Sequence, residues 1–420
     1  MSESRAAYPP PRPWHLHALL GVVFAGDALV WQVIYFGTGA TIRIGWISFL
    51  AIVVLVALLA LRRDFARLDR RVLFLQGLLV LYALTGLCVA FFRTGEVTGY
   101  ALWKTTGLLI KGVAGIWVMH QMMRTWTDLR RAIVVLLLFG LWVCLPSLPE
   151  IAAGDLHKVI YFHKEIWPRG VLGMPLLNGF HLSNRLSPLI LMPIFVLLHR
   201  DRFPLPRWLS GLLALAAIML FPLIVFLSGS RTDLAAMVGV IVFWQVRQGR
   251  LRRLALVALL AAIVLVGFSL AGTGDSQALE RAETLMSVQS VLGDKSFAER
   301  LTAWRASTNI FLEHPFFGVG FGEFGYFLGY GRGARIYPHN IFFEYVVDIG
   351  LLGPIIAALL VTLPFAVFWR RNDDLSLVFV GFFLAAFVTA NFTGDAVNFH
   401  RLYMAAGLIP LLANPPPDEP

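Results

Sequence analysis

The sequence predicts an all-α polytopic membrane protein, with about twelve transmembrane helices and one long, partly helical loop. Three observations predict it. Of 420 residues, 58% are hydrophobic and only 14% charged, with a mean hydropathy of +0.73; a soluble domain needs far more charge to cover its surface. The apolar residues come in blocks of about 20, enough to cross a hydrocarbon core of about 30 Å. The basic residues gather between the blocks, in alternate loops.

The blocks fall near 15–36, 44–61, 73–92, 105–123, 132–149, 175–198, 208–228, 232–246, 254–272, 340–369, 375–392 and 400–414. The polar N-terminus carries Pro9, Pro10, Pro11 and Pro13, and the first block has no small-residue cleavage site, so it reads as a retained helix. The block from Asn340 is long for one straight crossing; it either tilts or stands its first turns above the membrane. The chain thus divides into helices and short loops over 1–272, a long loop over 273–339, and a final group of helices over 340–420. Cys88 and Cys144 fall inside blocks and read as small core residues, not as a disulfide or a metal site.

The net charge of +10 would raise nucleic acid as a partner in a soluble protein. Here orientation explains it. One set of loops holds Arg62, Arg63, Arg67, Arg70 and Arg71; Arg124, Arg130 and Arg131; Arg200, Arg202 and Arg207; Arg247, Arg250, Arg252 and Arg253; and Arg370 and Arg371. Short, densely basic loops stay cytoplasmic. Both termini then lie inside, with segments 150–174 and 273–339 outside.

The long loop predicts a helix. Ser296 and Glu299 have capping-box spacing, and Phe297, Leu301, Trp304, Thr308 and Phe311 recur at helical intervals until Pro315 and Gly318. Such an amphipathic helix should lie on the bundle or the headgroup layer.

Ionisable groups at membrane depth are costly and each needs a reason. Asp27 and Lys111 pair with each other or serve function. Arg185 follows a polar run, Asn178 to Asn184, with no opposite charge nearby in sequence. Glu344, Asp348 and Asp395 sit nearer the membrane faces. Ser228-Gly-Ser-Arg231-Thr-Asp233 is a short turn in which Ser230, Thr232 or Asp233 can cap the next helix. Arg231 beside that helix start also suits a phosphate. Arg300 and Arg305 lie on the loop helix, and His339-Asn340 ends the loop. Asn340 is a natural N-cap, while His339, at the mouth of the bundle, has the proton affinity of a general base. Arginines without an acidic cluster suit a polyanionic, phosphorylated substrate. There is no carboxylate cage for a divalent metal, no Walker A sequence and no Rossmann fingerprint. A lipid-linked diphosphate would bring both anion and driving force.

These residues resemble the bacterial O-antigen ligase and polymerase superfamily. The resemblance rests on Ser228-Gly-Ser-Arg231, Arg300-Leu-Thr-Ala-Trp304, His314-Pro-Phe-Phe-Gly-Val-Gly320 with His339-Asn340, and Asp348-Ile-Gly-Leu-Leu-Gly353. It is firmest over about 175–355. It implies a glycosyltransferase of GT-C type in the bacterial inner membrane. Such an enzyme moves a glycan from undecaprenyl diphosphate to an acceptor at the periplasmic face, with no metal or nucleotide cofactor. Carried onto this chain, His339 would deprotonate the acceptor hydroxyl. Arg231 and Arg300 would hold the diphosphate, Arg185 would assist, and Arg305 is a weaker candidate; Ser230, Asn340 and Trp304 would support them. The family often has Glu where this chain has Asp348, which is read as structural.

Within the superfamily, the dominant loop with His-Asn at its end and the short tail to Pro420 favour the ligase, with lipid A–core as acceptor. Lys158, Lys164, Arg169, Arg332 and Arg335 would face core phosphates or ordinary anionic lipid. The expected reaction is an inverting displacement without a covalent intermediate. A polymerase of the same superfamily is the alternative. A transporter or flippase would also use buried charges, but no paired broken helices mark one.

Overall fold

The computed structural model describes residues 10–34, 45–63, 65–145, 186–227, 230–249, 295–371, 373–392 and 396–414. Among these residues every regular element is a helix. The chain forms α1 (Trp14–Ile34), α2 (Gly45–Arg62) and α3 (Arg70–Thr94), then α4 (Gly99–Gly107) and α5 (Gly115–Met122) joined by a π-helical stretch, Leu108–Ala114, then α6 (Trp126–Cys144). It continues through α7 (Leu191–Leu198), α8 (Arg207–Leu227), α9 (Arg231–Arg247), α10 (Lys295–Glu313) and the single turn α11 (Phe324–Phe327). Then come α12 (Ile341–Ile349), α13 (Leu352–Trp369), α14 (Asp374–Ala390), α15 (His400–Ala405) and α16 (Ile409–Ala413).

By length and composition, Arg70–Thr94, Arg207–Val225 and Leu352–Trp369 can each cross a bilayer, and Trp14–Phe24, Ser48–Arg62, Ser187–Leu198 and Asp374–Ala390 are shorter apolar helices. This is the build of a membrane protein. The expected block 254–272 lies outside the described residues. The block expected at 132–149 starts earlier, at Trp126, because Thr125 and Asp128 form a capping box. Asp128 is fully buried and accepts the Arg12 amide at 2.6 Å, so a charged first turn belongs to the packed helix. The π-helical stretch leaves backbone groups without their usual partners, and Gln76 donates to the Val113 carbonyl at 2.8 Å. Cys144 is buried as expected, but Cys88 is exposed on the outward face of α3, not in the core.

Basic turns cluster. Arg12 donates to the Gln121 carbonyl at 3.1 Å, the Gln121 amide brackets Ala66 on both sides, and Arg62 meets His15 at 3.1 Å. Arg247 donates to the Trp369 carbonyl at 2.7 Å, and Arg371 donates to the Leu412 carbonyl. Arg70 starts the 25-residue α3 and Trp369 ends the 18-residue α13. At 1.5 Å per residue, those helices put about 37 and 27 Å between the basic turns and the opposite end of the bundle.

That opposite end receives the loop. The block expected as one helix from Asn340 is two, α12 and α13, broken at Gly350 (φ 63). Pro315 accepts the Leu351 amide at 2.7 Å, Val347 accepts the Val319 amide at 2.8 Å, and Asp348 accepts the Gly320 amide at 3.0 Å. Gly86 of α3 accepts the Phe321 amide at 3.1 Å. The segments His314–Gly320 and Asp348–Gly353 are therefore two halves of one joint. A Cβ on Gly350 would stand 2.5 Å from the Pro315 oxygen and 2.6 Å from the Phe316 carbonyl carbon. Gly350→Ala is expected to cost at least about 1–3 kcal/mol for its backbone conformation alone. Thermal unfolding of the purified protein should fall accordingly, while Gly211→Ala, whose added Cβ meets nothing within 4 Å, should melt like wild type.

Below the joint lies a buried ionic hub. Lys104 Nζ sits 2.6 Å from both Glu344 Oε1 and Asp348 Oδ2. The Tyr82 hydroxyl donates to Asp348, and the Ala396 amide donates to Glu344 at 2.9 Å. Tyr82 stacks on Tyr345 at 3.7 Å, whose hydroxyl meets that of Tyr403 at 2.9 Å. Asp348 is held in this hub by both Lys104 and Tyr82. Glu344 and Asp348 are four apart, so both carboxylates face one side of α12 and need one cation between them.

Candidate functional site

Asn340 starts α12 as an N-cap, accepting the Phe342 and Phe343 amides at 3.0 and 3.2 Å. Its amide nitrogen reaches the Asn391 side chain at 3.1 Å, just past the end of α14. His339 precedes this cap and is half-buried, with φ 59. That left-handed conformation is uncommon for a side-chain-bearing residue and needs neighbours to hold it. Trp304 is one of them: its indole donates to the Pro338 carbonyl at 3.0 Å. The indole stacks on Phe343 at 5.8 Å and packs on Phe392 at 6.3 Å. The Tyr337 ring lies 4.6 Å from that of His339.

The loop helix forms as the periodicity predicts, but Lys295 is already helical, so Ser296 falls inside the helix and is not its N-cap. Arg300 lies one turn before Trp304 and shares its face of α10; it is half-buried. Arg305 is exposed. Trp304 thus brings the Arg300 face toward Pro338 and α12, and leaves Arg305 out.

Ser230 caps α9. Its hydroxyl donates to Asp233 at 2.5 Å, and Ser187, two residues after Arg185, donates to the other Asp233 oxygen at 3.2 Å. Gln248 binds Asp374, so α9 and α14 run antiparallel. Each has 17 residues, which sets Ser230 beside the Asn391 end of α14. Ser230, Asn391, Asn340, His339 and Trp304 therefore converge on one end of the bundle. Arg185 and the side chains of Arg231 and Asp27 lie outside the described residues, and with them the expected Asp27–Lys111 pair. Lys111 itself is buried in the π-helical stretch.

Sequence reasoning missed Lys104, which it set at the edge of a block. Two carboxylates at i and i+4 on an apolar helix were the signal that a buried cation must exist elsewhere. It also missed Arg93, which donates to the Gly318 carbonyl at 3.3 Å and approaches His314 at 3.4 Å. Burial, and then the charge of Arg93, hold the His314 imidazole below its ordinary value. Burial pushes the Glu323 carboxyl up, against the pull of Arg332 at 3.6 Å and of Arg93.

No curated protein matches the chain. Residues 214–358 match the family model described as O-antigen ligase. The matched stretch holds Arg231, Arg300, Trp304, His339, Glu344 and Asp348, and leaves Tyr82, Lys104 and Arg185 outside it. Over that stretch, about a third of its length, the chain is similar to the O-antigen ligase family.

Proposed function

We propose that this protein is the ligase of its superfamily. It transfers a glycan from undecaprenyl diphosphate to a sugar hydroxyl of lipid A–core at the periplasmic face. His339 takes the proton of the acceptor hydroxyl as its oxygen attacks the anomeric carbon. The bond from that carbon to the diphosphate breaks on the opposite face, and the diphosphate leaves with the electron pair. Arg231 and Arg300, with Arg185, hold the diphosphate and stabilise its charge. One observation carries the reading: His339 is held left-handed between the Trp304-bound Pro338 carbonyl and the Asn340 cap. Strain of this kind gathers at reacting groups. The basic turns at the far ends of α3 and α13 support a cytoplasmic side opposite the loop.

The arginines separate in a direct test. Arg300→Ala is expected to lower transfer by the pure protein at least tenfold, while Arg305→Ala stays within about twofold of wild type. Equal losses would remove Arg300 from the diphosphate site. The acceptor is tested by offering lipid A–core and a second lipid-linked repeat to the same preparation. Transfer to the repeat alone would make the protein the polymerase.

A further inference from the structure

The turn that joins α10 to the bundle carries an exposed apolar cluster that catalysis does not use. Phe316 and Phe317 are 73% and 72% exposed, and Leu312 one turn earlier is 71% exposed. This turn does not stand alone in space. The Leu351 amide binds Pro315, and Arg93 binds Gly318, so residues 314–318 lie between the last turn of α3 and the first turn of α13. Those two turns present Phe91 and Phe92, the latter 82% exposed, and Leu351.

The cluster has a direction. On α3 it continues a stripe of outward residues, Phe74, Leu81, Leu84 and Cys88, running along a helix long enough to cross a bilayer. On α13, another such helix, it continues through Ile355. Stripes of this kind on crossing helices face lipid. Large exposed apolar patches are not sustained in water and mark a contact surface. An apolar face that grows out of two lipid-facing stripes shares their solvent.

We propose that the turn from Pro315 to Gly318 is a membrane anchor, with Phe316 and Phe317 entering the bilayer interface beside Phe91, Phe92 and Leu351, and that lipid covers this face. A segment that reads as external loop is then partly a membrane element. The anchor fixes the Gly350 end of α12. His339 stands at the other end of that nine-residue helix, about 13 Å away at 1.5 Å per residue. The anchor therefore sets the height of His339 above the lipid from which a polyprenyl-linked donor would come.

The test uses the full chain with Cys88→Ala and Cys144→Ala, a nitroxide on Phe317→Cys, and nanodiscs of phosphatidylethanolamine and phosphatidylglycerol. Collision with oxygen, which concentrates in lipid, is compared with collision with a water-soluble nickel chelate. Labels at Phe74→Cys on α3 and at Tyr330→Cys, 55% exposed on the same loop, give the lipid and water references. Phe316→Cys is a second site should Phe317→Cys not assemble. The anchor predicts a several-fold preference for oxygen, like Phe74. A response like that of Tyr330 overturns it, and so does protection from both reagents, which would mean that protein covers the face. No readout depends on transferase activity.

Discussion

Purified His339→Ala protein is expected to lose glycan transfer by about two to four orders of magnitude, the range that a general base contributes. Asn340 caps α12 and Trp304 holds Pro338, and neither needs the imidazole, so the fold should survive the substitution. The unfolding temperature should stay close to wild type or fall slightly, because alanine gives up the ring's contact with Tyr337 and must still occupy the left-handed position. Supplying lipid-linked glycan and lipid A–core, then measuring product, decides the matter. Near wild-type transfer would end the assignment of His339 as base. The stereochemistry of the product tests the displacement separately: a retained anomeric configuration would require a covalent intermediate and would end the direct route.

The largest loss of stability is expected from Lys104→Met. The substitution keeps the side chain's length but leaves Glu344 and Asp348 facing each other with both side chains buried. Removing one partner of a buried ion pair costs about 3–5 kcal/mol. A large fall in unfolding temperature or a loss of folded protein is the expected result. The triple variant Lys104→Met, Glu344→Gln, Asp348→Asn removes the stranded charges and should recover much of the loss. A single variant that melts like wild type would show that the hub is not what joins α4 to α12. Tyr82→Phe should matter less, since it removes one donor to Asp348 and keeps the stack on Tyr345.

Much of the helical pattern was legible because a lipid-facing helix advertises itself through hydropathy. The spans expected at 208–228, 232–246 and 375–392 match Arg207–Leu227, Arg231–Arg247 and Asp374–Ala390 to within about two residues. Local rules also read the Asn340 cap correctly, and Ser230 is one of the three residues they offered for the cap of α9. What hydropathy could not read was tertiary. The break at Gly350 sits in an unbroken apolar run; only the approach of Pro315 explains it. The charged first turn of α6 looked like loop because Arg12 and His17 come from far away in the chain to meet Asp128. Lys104 looked peripheral because its partners lie 240 and 244 residues on, at Glu344 and Asp348. In the candidate site, residue types pointed to His339 and Arg300. That Trp304 ties the two regions together depends on one indole hydrogen bond that no periodicity encodes.

The joint between His314–Gly320 and Asp348–Gly353 also governs how such a protein can be recombined. Its hydrogen bonds run from Leu351 to Pro315, from Val319 to Val347, and from Phe321 out to Gly86 on α3. A Cβ on Gly86 would collide with the Phe321 ring. A chimera that imports only residues 295–339 from a relative would set foreign amides against a native groove. The unit of exchange is the whole cassette 295–353, and it carries a demand for a small residue at position 86, well before the stretch that the family model matches. Grafts that respect that distant glycine should assemble, and those that ignore it should jam at the ring of Phe321.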